Sequence, residues 1–229
     1  MFRQPNLQQG VERSTLTSIV ATNRVLRNTY LLLALTLVFS AVTAGLAMAS
    51  NAAPIGLLPL LIGFLGLPFL IQWLRNSAFA LPLTFVFTGF VGWTLGPILN
   101  LYIAEFTNGS QLIMMALGGT GLIFVGLTAI SLNPSRNFSH LGKFVAVGAV
   151  VAILGMLINV FFLHLPALQL MISVAFSLIS GAVIMMQTNA IVNGGETNYV
   201  SATIMIYISL LNIFMMLLQV LGMFGGNRR

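Results

Sequence analysis

Residues Asn193-Gly194-Gly195-Glu196-Thr197-Asn198-Tyr199 lead into Ser201–Met223, SATIMIYISLLNIFMMLLQVLGM. This last segment exceeds the roughly twenty apolar residues that cross a bilayer as a helix. Within it Ser209, Asn212 and Gln219, continued by Met205 and Met216, fall on one stripe at helical spacing. Lipid offers such a stripe no partner. The segment is therefore expected inside a bundle, with other spans shielding the polar face.

The rest of the chain has to supply those spans. It is 58% hydrophobic and 5% charged, whereas a soluble domain is about a quarter charged. An all-α, polytopic membrane protein follows, and 229 residues leave room for about seven crossings and no separate soluble domain. The expected spans are 30–49, 55–74, 80–103, 111–132, 144–163, 168–189 and 201–223. They form a transmembrane domain over 29–226, with an amino-terminal tail at 1–28 and a short carboxyl-terminal tail at 227–229. Leu16, Ile19, Val20 and Leu26 in the tail suit either a short surface helix or an unstructured segment. Ala47-Met48-Ala49 imitates a signal-peptidase site, but the preceding apolar run is longer than a signal sequence and is expected to stay uncleaved.

Several chemistries are excluded by composition. There is no cysteine, which removes disulfides, thiolate metal ligands and cysteine nucleophiles. Aspartate is absent too, and the acids are Glu12, Glu105 and Glu196, each in a tail or loop. A pair of carboxylates inside the membrane, the usual apparatus of proton and cation pathways, cannot be assembled from them. The formal charge of +6 sits at helix ends and reads as topology, not as a nucleic-acid surface. Arg3, Arg13, Arg24 and Arg27 in the tail, Arg75 in the second loop, and Arg136 and Lys143 in the fourth face loops that carry no Arg or Lys. A cytoplasmic amino terminus follows from that asymmetry. Seven crossings then place Arg228 and Arg229 outside, against the same rule. A re-entrant last segment would avoid this, but the length of 201–223 favours a full crossing that ends in the periplasm.

Small residues mark expected packing seams: Ser173, Ser177 and Gly181; Gly92 and Gly96; and Gly118, Gly119, Gly121 and Gly126. Among the prolines, Pro97 is the one expected to bend a helix.

Several motifs together resemble the Bax-inhibitor-type membrane proteins, and within them the bacterial YccA branch. They are Arg27-Asn28-Thr29-Tyr30, Thr88-Gly89-Phe90, Leu95-Gly96-Pro97-Ile98-Leu99-Asn100, Ala116-Leu117-Gly118-Gly119-Thr120, Phe138-Ser139-His140-Leu141-Gly142, and Gly194-Gly195-Glu196-Thr197-Asn198-Tyr199 with Tyr207 and Asn212-Ile213-Phe214. The resemblance implies a seven-helix bundle with the last helix in the centre. For the YccA branch it implies the bacterial inner membrane and association with the FtsH protease as modulator and, through the tail, as slow substrate. For the wider family it implies a calcium or cation leak governed by two aspartates. Those positions match Gln187 and Ser209. Two facing carboxylates share a proton and hold a cation; glutamine and serine do neither.

Gln187 and Ser209, with Asn212, Gln219 and Asn100 and a similar candidate in Asn159, are accordingly expected to form a hydrogen-bonding seam. The alternative is a polar conduit. Glu196 is a candidate cation-attracting group, or a partner for Arg75 or Lys143, or simply solvated. His140 and His164 are expected at opposite membrane faces and cannot share a metal. The twelve methionines read as packing. No catalytic residues, metal site or cofactor are expected, and the partners expected are the lipid bilayer and an FtsH-type protease, not nucleic acid.

Overall fold

The computed structural model describes residues 5–227, with side chains from Arg24 onward. The tail from Pro5 is not an unstructured segment or a separate short helix, since it runs as continuous helix into the first span; the apolar face expected of Leu16, Ile19 and Val20 rests on side chains outside the described range, and Arg228 and Arg229 lie outside the described residues. Seven helical segments follow in order: α1 (Pro5–Ala49), α2 (Leu57–Trp73), α3 (Ala80–Glu105), α4 (Gly109–Ser131), α5 (Leu141–Leu163), α6 (Pro166–Val192) and α7 (Tyr199–Gly225). Six of them are long and apolar enough to cross a membrane. The exception is α2.

The second span, expected at 55–74, is shorter and interrupted. α2 is α-helical over Leu57–Leu61 and Leu67–Trp73, with a π turn at Ile62–Gly66 between them. Pro68 accounts for the interruption: its ring has no amide to offer the carbonyl four residues back and crowds it, which opens the preceding turn. At 1.5 Å per residue α2 is about 25 Å long, short of a roughly 30 Å hydrocarbon core. Gly63 lets it lie against α3, since a Cβ there would strike the Phe90 ring.

α1 and α3 form the closest pair through Gly92 and Gly96. A Cβ at Gly92 would meet Thr43 Oγ1 and the Ser40 carbonyl, and one at Gly96 would meet Ala47 Cβ. This is the small-residue contact expected of a membrane seam. Pro97 lies inside α3, which continues to Glu105. Several threonine hydroxyls within the spans turn back on their own helices: Thr36 Oγ1 donates to the Leu33 carbonyl at 2.9 Å, Thr84 to Ala80 at 2.8 Å and Thr94 to Val91 at 2.7 Å, whereas the Thr29 and Thr128 hydroxyls have no partner among the described residues. These three threonines thereby enter the apolar spans with their polar groups satisfied.

The fourth span differs from the expected smooth seam. A Cβ at Gly118, Gly121 or Gly126 would meet nothing within 4 Å, and of the four only one at Gly119 would reach a neighbour, 3.1 Å from Leu217 Cδ1. Small-residue spacing shows that a close approach is permitted, whereas the rotation of α4 decides which glycines meet a neighbour. On α6, Ser177 is buried and a Cβ at Gly181 would lie 3.4 Å from Leu127.

α5 packs on α6 and ends in a second π turn, Asn159–Leu163, closed by His164 in the left-handed conformation at φ 52°. The Asn159 side chain clamps this turn. Its Oδ1 accepts the Leu165 amide at 2.9 Å and its Nδ2 donates to the Leu165 carbonyl and Gln169 Oε1, both at 3.3 Å.

α7 packs against α1, α3, α4, α6 and the end of α2. Ile206, Ile213 and Leu218 are buried on it, as are the polar Ser201, Thr203 and Ser209. Asn198 caps its amino end, accepting the Val200 and Ser201 amides at 3.0 Å, and donates to the Arg75 carbonyl at 2.8 Å. At the other end Asn108 Nδ2 donates to the Gly225 carbonyl at 2.8 Å, and the Thr107 amide donates to the Asn227 carbonyl at 2.9 Å. The Arg75 and Asn108 loops are the two ends of α3, about 39 Å apart along its 26 residues. α7 therefore runs the length of the bundle, and a re-entrant hairpin is not its geometry.

Candidate functional site: a neutral polar seam

The polar stripe of α7 faces α6. Gln187, late in α6, and Ser209 are 7% and 3% exposed. They do not bond one another; both turn to Met205. Gln187 Nε2 donates to the Met205 thioether, and Ser209 Oγ donates to the Met205 carbonyl one turn back at 2.8 Å. One turn further on, Asn212 Nδ2 donates to Ser180 Oγ at 3.1 Å. Gln219 lies half-buried two turns beyond Asn212 on the same stripe.

Asn100 belongs elsewhere. It donates to the Met48 carbonyl at 3.1 Å and ties the end of α1 to α3. Asn159 serves the α5–α6 turn, as described. Of the expected seam, the bundle brings together Gln187, Ser209 and Asn212 and separates Asn100 and Asn159 from them.

The chemistry open to this seam is limited. It offers amides, hydroxyls and a thioether, a weak acceptor. A hard cation asks for six to eight oxygens with carboxylates among them. Among the described residues no three His, Asp or Glu side chains converge. A cavity of about 460 Å³ lies beside α7, but its lining includes Tyr207, Leu210 and Phe214 and neither Gln187 nor Ser209. At 100° per residue, those cavity residues occupy the face of α7 opposite the seam.

Glu196 shapes the loop that feeds α7. Its Oε1 accepts the Asn198 amide at 2.8 Å, which sets the turn before the cap. The neighbouring Gly194 has φ 73°, a conformation that glycine adopts without steric cost.

Two anchors lie outside the expected site. Asn189, 3% exposed, binds the α4–α5 loop with both ends of its amide. Nδ2 donates to the Arg136 carbonyl at 2.9 Å and the Ser131 carbonyl at 3.3 Å, while Oδ1 accepts the Phe138 amide at 3.2 Å and Asn193 Nδ2 at 3.0 Å. The second joins α1 to its neighbours. Tyr30 OH pairs with Thr188 Oγ1 at 3.0 Å, and Tyr207 OH donates to Ser40 Oγ at 2.7 Å. Buried tyrosines flag such pairs in a sequence, because a phenol in a membrane core needs a partner; the partner's identity has no local signature.

Comparison with known proteins decides the affiliation. The family described as "Inhibitor of apoptosis-promoting Bax1" matches residues 22–226. The chain belongs to this Bax-inhibitor family. Relatives in the family include the Escherichia coli K12 protein named "Modulator of FtsH protease YccA", 46% identical over 206 residues, which are 90% of this chain and 93% of that protein. An uncharacterised Pseudomonas aeruginosa protein is 46% identical over 93% of this chain and 96% of its own length. An uncharacterised Vibrio cholerae membrane protein is 41% identical over 97% of this chain and 99% of its own.

Proposed function

We propose that this Bax-inhibitor family protein is a bacterial inner-membrane modulator of an FtsH-type protease, acting by association and not by catalysis. The observation that carries the reading is the 46% identity across 90% of the chain to a protein named for that activity. The same relative in another Escherichia coli strain is named an inner membrane protein. The seam supports an interaction role, since Gln187 and Asn212 hold α6 and α7 together, Ser209 is satisfied within its own helix, and none of the three carries a titrating or cation-binding group.

In this reading the amino-terminal tail, 1–28, lies in the cytoplasm with Arg75, Arg136 and Lys143, as the charge asymmetry requires. α2 is too short to cross as a helix alone, and it makes the seventh crossing together with the residues that flank it, joining the α1 end of the bundle to the Arg75 loop at its other end. The carboxyl terminus, strapped to the α3–α4 loop, is periplasmic, and α7 is the central helix. The tail is the segment that reaches the protease.

Co-purification with FtsH in mild detergent, for the intact chain and for a chain lacking residues 1–28, tests the proposal. The intact chain is expected to retain FtsH and the shortened chain to lose most of it. Failure of the intact chain to associate would overturn the reading.

A further inference from the structure

The cavity of about 460 Å³ is built from four helices, with Leu95 and Leu99 of α3 closing it between α1 and α7. Tyr207, Leu210 and Phe214 of α7 form its floor, α1 walls it from Leu37 to Met48, and α4 walls it from Ile113 to Phe124. Both walls come from helices whose outward side chains are exposed in the bundle, Val38 and Leu46 on α1 and Leu122 and Val125 on α4. The cleft thus lies within the membrane-facing surface.

Its chemistry selects an apolar occupant. Three lining residues carry hydroxyls, and each is engaged: Tyr207 OH donates to Ser40 Oγ at 2.7 Å, and Thr120 Oγ1 donates to the Ala116 carbonyl at 2.7 Å. Water there would find almost no partners. An unfilled space of this size beside hydrocarbon forfeits the dispersion contacts of every lining side chain.

Its dimensions narrow the occupant further. The α1 wall from Leu37 to Met48 is about 16 Å long, so the volume corresponds to a mean width of about 6 Å. A helix with its side chains is roughly 10 Å across and does not fit. A single hydrocarbon chain, whose neighbours approach to about 4.0–4.5 Å, does. Two glycines in the lining, Gly45 and Gly121, keep the space open, since a Cβ at either meets nothing within 4 Å.

We propose that this cavity binds one acyl chain of a membrane phospholipid, which enters between α1 and α4 and lies along the Tyr207–Phe214 face of α7. The chain is held by apolar contact alone, on the face of α7 opposite the Gln187–Ser209 seam, and its binding is independent of any protease partner.

Native mass spectrometry of the full chain, extracted in mild detergent, tests this. One phospholipid is expected to remain per protein after annular lipid is stripped. Gly45→Leu with Gly121→Leu fills the space and is expected to reduce retention at least tenfold. Gly118→Leu, which adds the same side chain to α4 at a position also free of contacts but outside the cavity, is expected to retain the lipid. Absence of phospholipid from the parent protein, a bound mass matching detergent alone, or undiminished retention by the folded double variant would each overturn the proposal. A second measurement stands even where the double variant fails to fold. The parent chain in vesicles containing a phospholipid with a photoreactive group at mid-chain is expected to label Leu37–Met48 and Ile113–Phe124. Labelling spread evenly over the exposed faces of α4 and α5, or capture of another protein's helix in the cleft, would refute it.

Discussion

Asn189→Ala should release the α4–α5 loop while leaving the helices in place. Asn189 makes four side-chain hydrogen bonds, of which those to Ser131, Arg136 and Phe138 tie that loop to α6 at 2.9–3.3 Å. Each is worth about 1 kcal/mol net. The Arg136 carbonyl belongs to an exposed residue and recovers a water partner, whereas Ser131 is fully buried. The local loss is then about 2 kcal/mol, or roughly a 30-fold increase in the opening equilibrium of the loop. Hydrogen exchange followed by mass spectrometry reads this at the amides of residues 133–140. Faster exchange there, with α3 and the middle of α7 unchanged, is the expected pattern. Asn193→Ala, which removes only the bond to Asn189 Oδ1, should change the same amides less than fivefold. Unaltered exchange of the loop in Asn189→Ala would refute the assignment of Asn189 as its anchor.

Three further outcomes follow from the same contacts. Asn198→Ala removes the α7 cap and the bond to Arg75, and should cost about 1–2 kcal/mol in thermal or denaturant unfolding in detergent; Asn198→Asp keeps the cap acceptor and should recover about half. Gly92→Leu should lower folded yield severely, because the side chain has to displace Thr43 and the Ser40 backbone, while Gly118→Leu should leave it unchanged; size-exclusion profiles distinguish the two. In liposomes, calcium flux should be small and flat between about pH 5 and 8, since glutamine at 187 and serine at 209 have no proton to exchange in that range; a steep pH-gated flux would locate the conducting groups elsewhere.

The helices were largely legible in the sequence because a span announces itself by length and apolarity alone. The expected 201–223 and 80–103 lie inside α7 and α3, and the helices extend two residues beyond each of those ends except at Ala80. α2 was less legible: its residues are apolar enough, but Pro68 interrupts the helix and shortens it. The affiliation rested on motifs spread along the whole chain, and the family match covers nearly the same extent.

The site was legible only in part. Ser209 and Asn212 could be placed on one stripe by helical spacing, and α6 does face that stripe. That Gln187 would meet Met205 instead of Ser209 depends on the relative height of two helices, which periodicity does not encode. Asn100 looks like another seam residue by composition yet belongs to the end of α1. The glycines of α4 show the same limit, because identical spacing describes a packed face and an open one. Asn189 and Asn198 lie at loop junctions where a single asparagine has no distinguishing pattern, although both join segments far apart in the chain.

We propose that this chain restrains a membrane protease by binding it. That restraint is tested most directly by measuring the rate at which purified FtsH degrades a membrane-protein substrate in proteoliposomes, with and without this protein at equal molar amount. Slower turnover is expected with the intact chain and restored turnover when residues 1–28 are removed. A rate unchanged by the intact chain, under conditions where FtsH is active and both proteins are in the same vesicles, would contradict it.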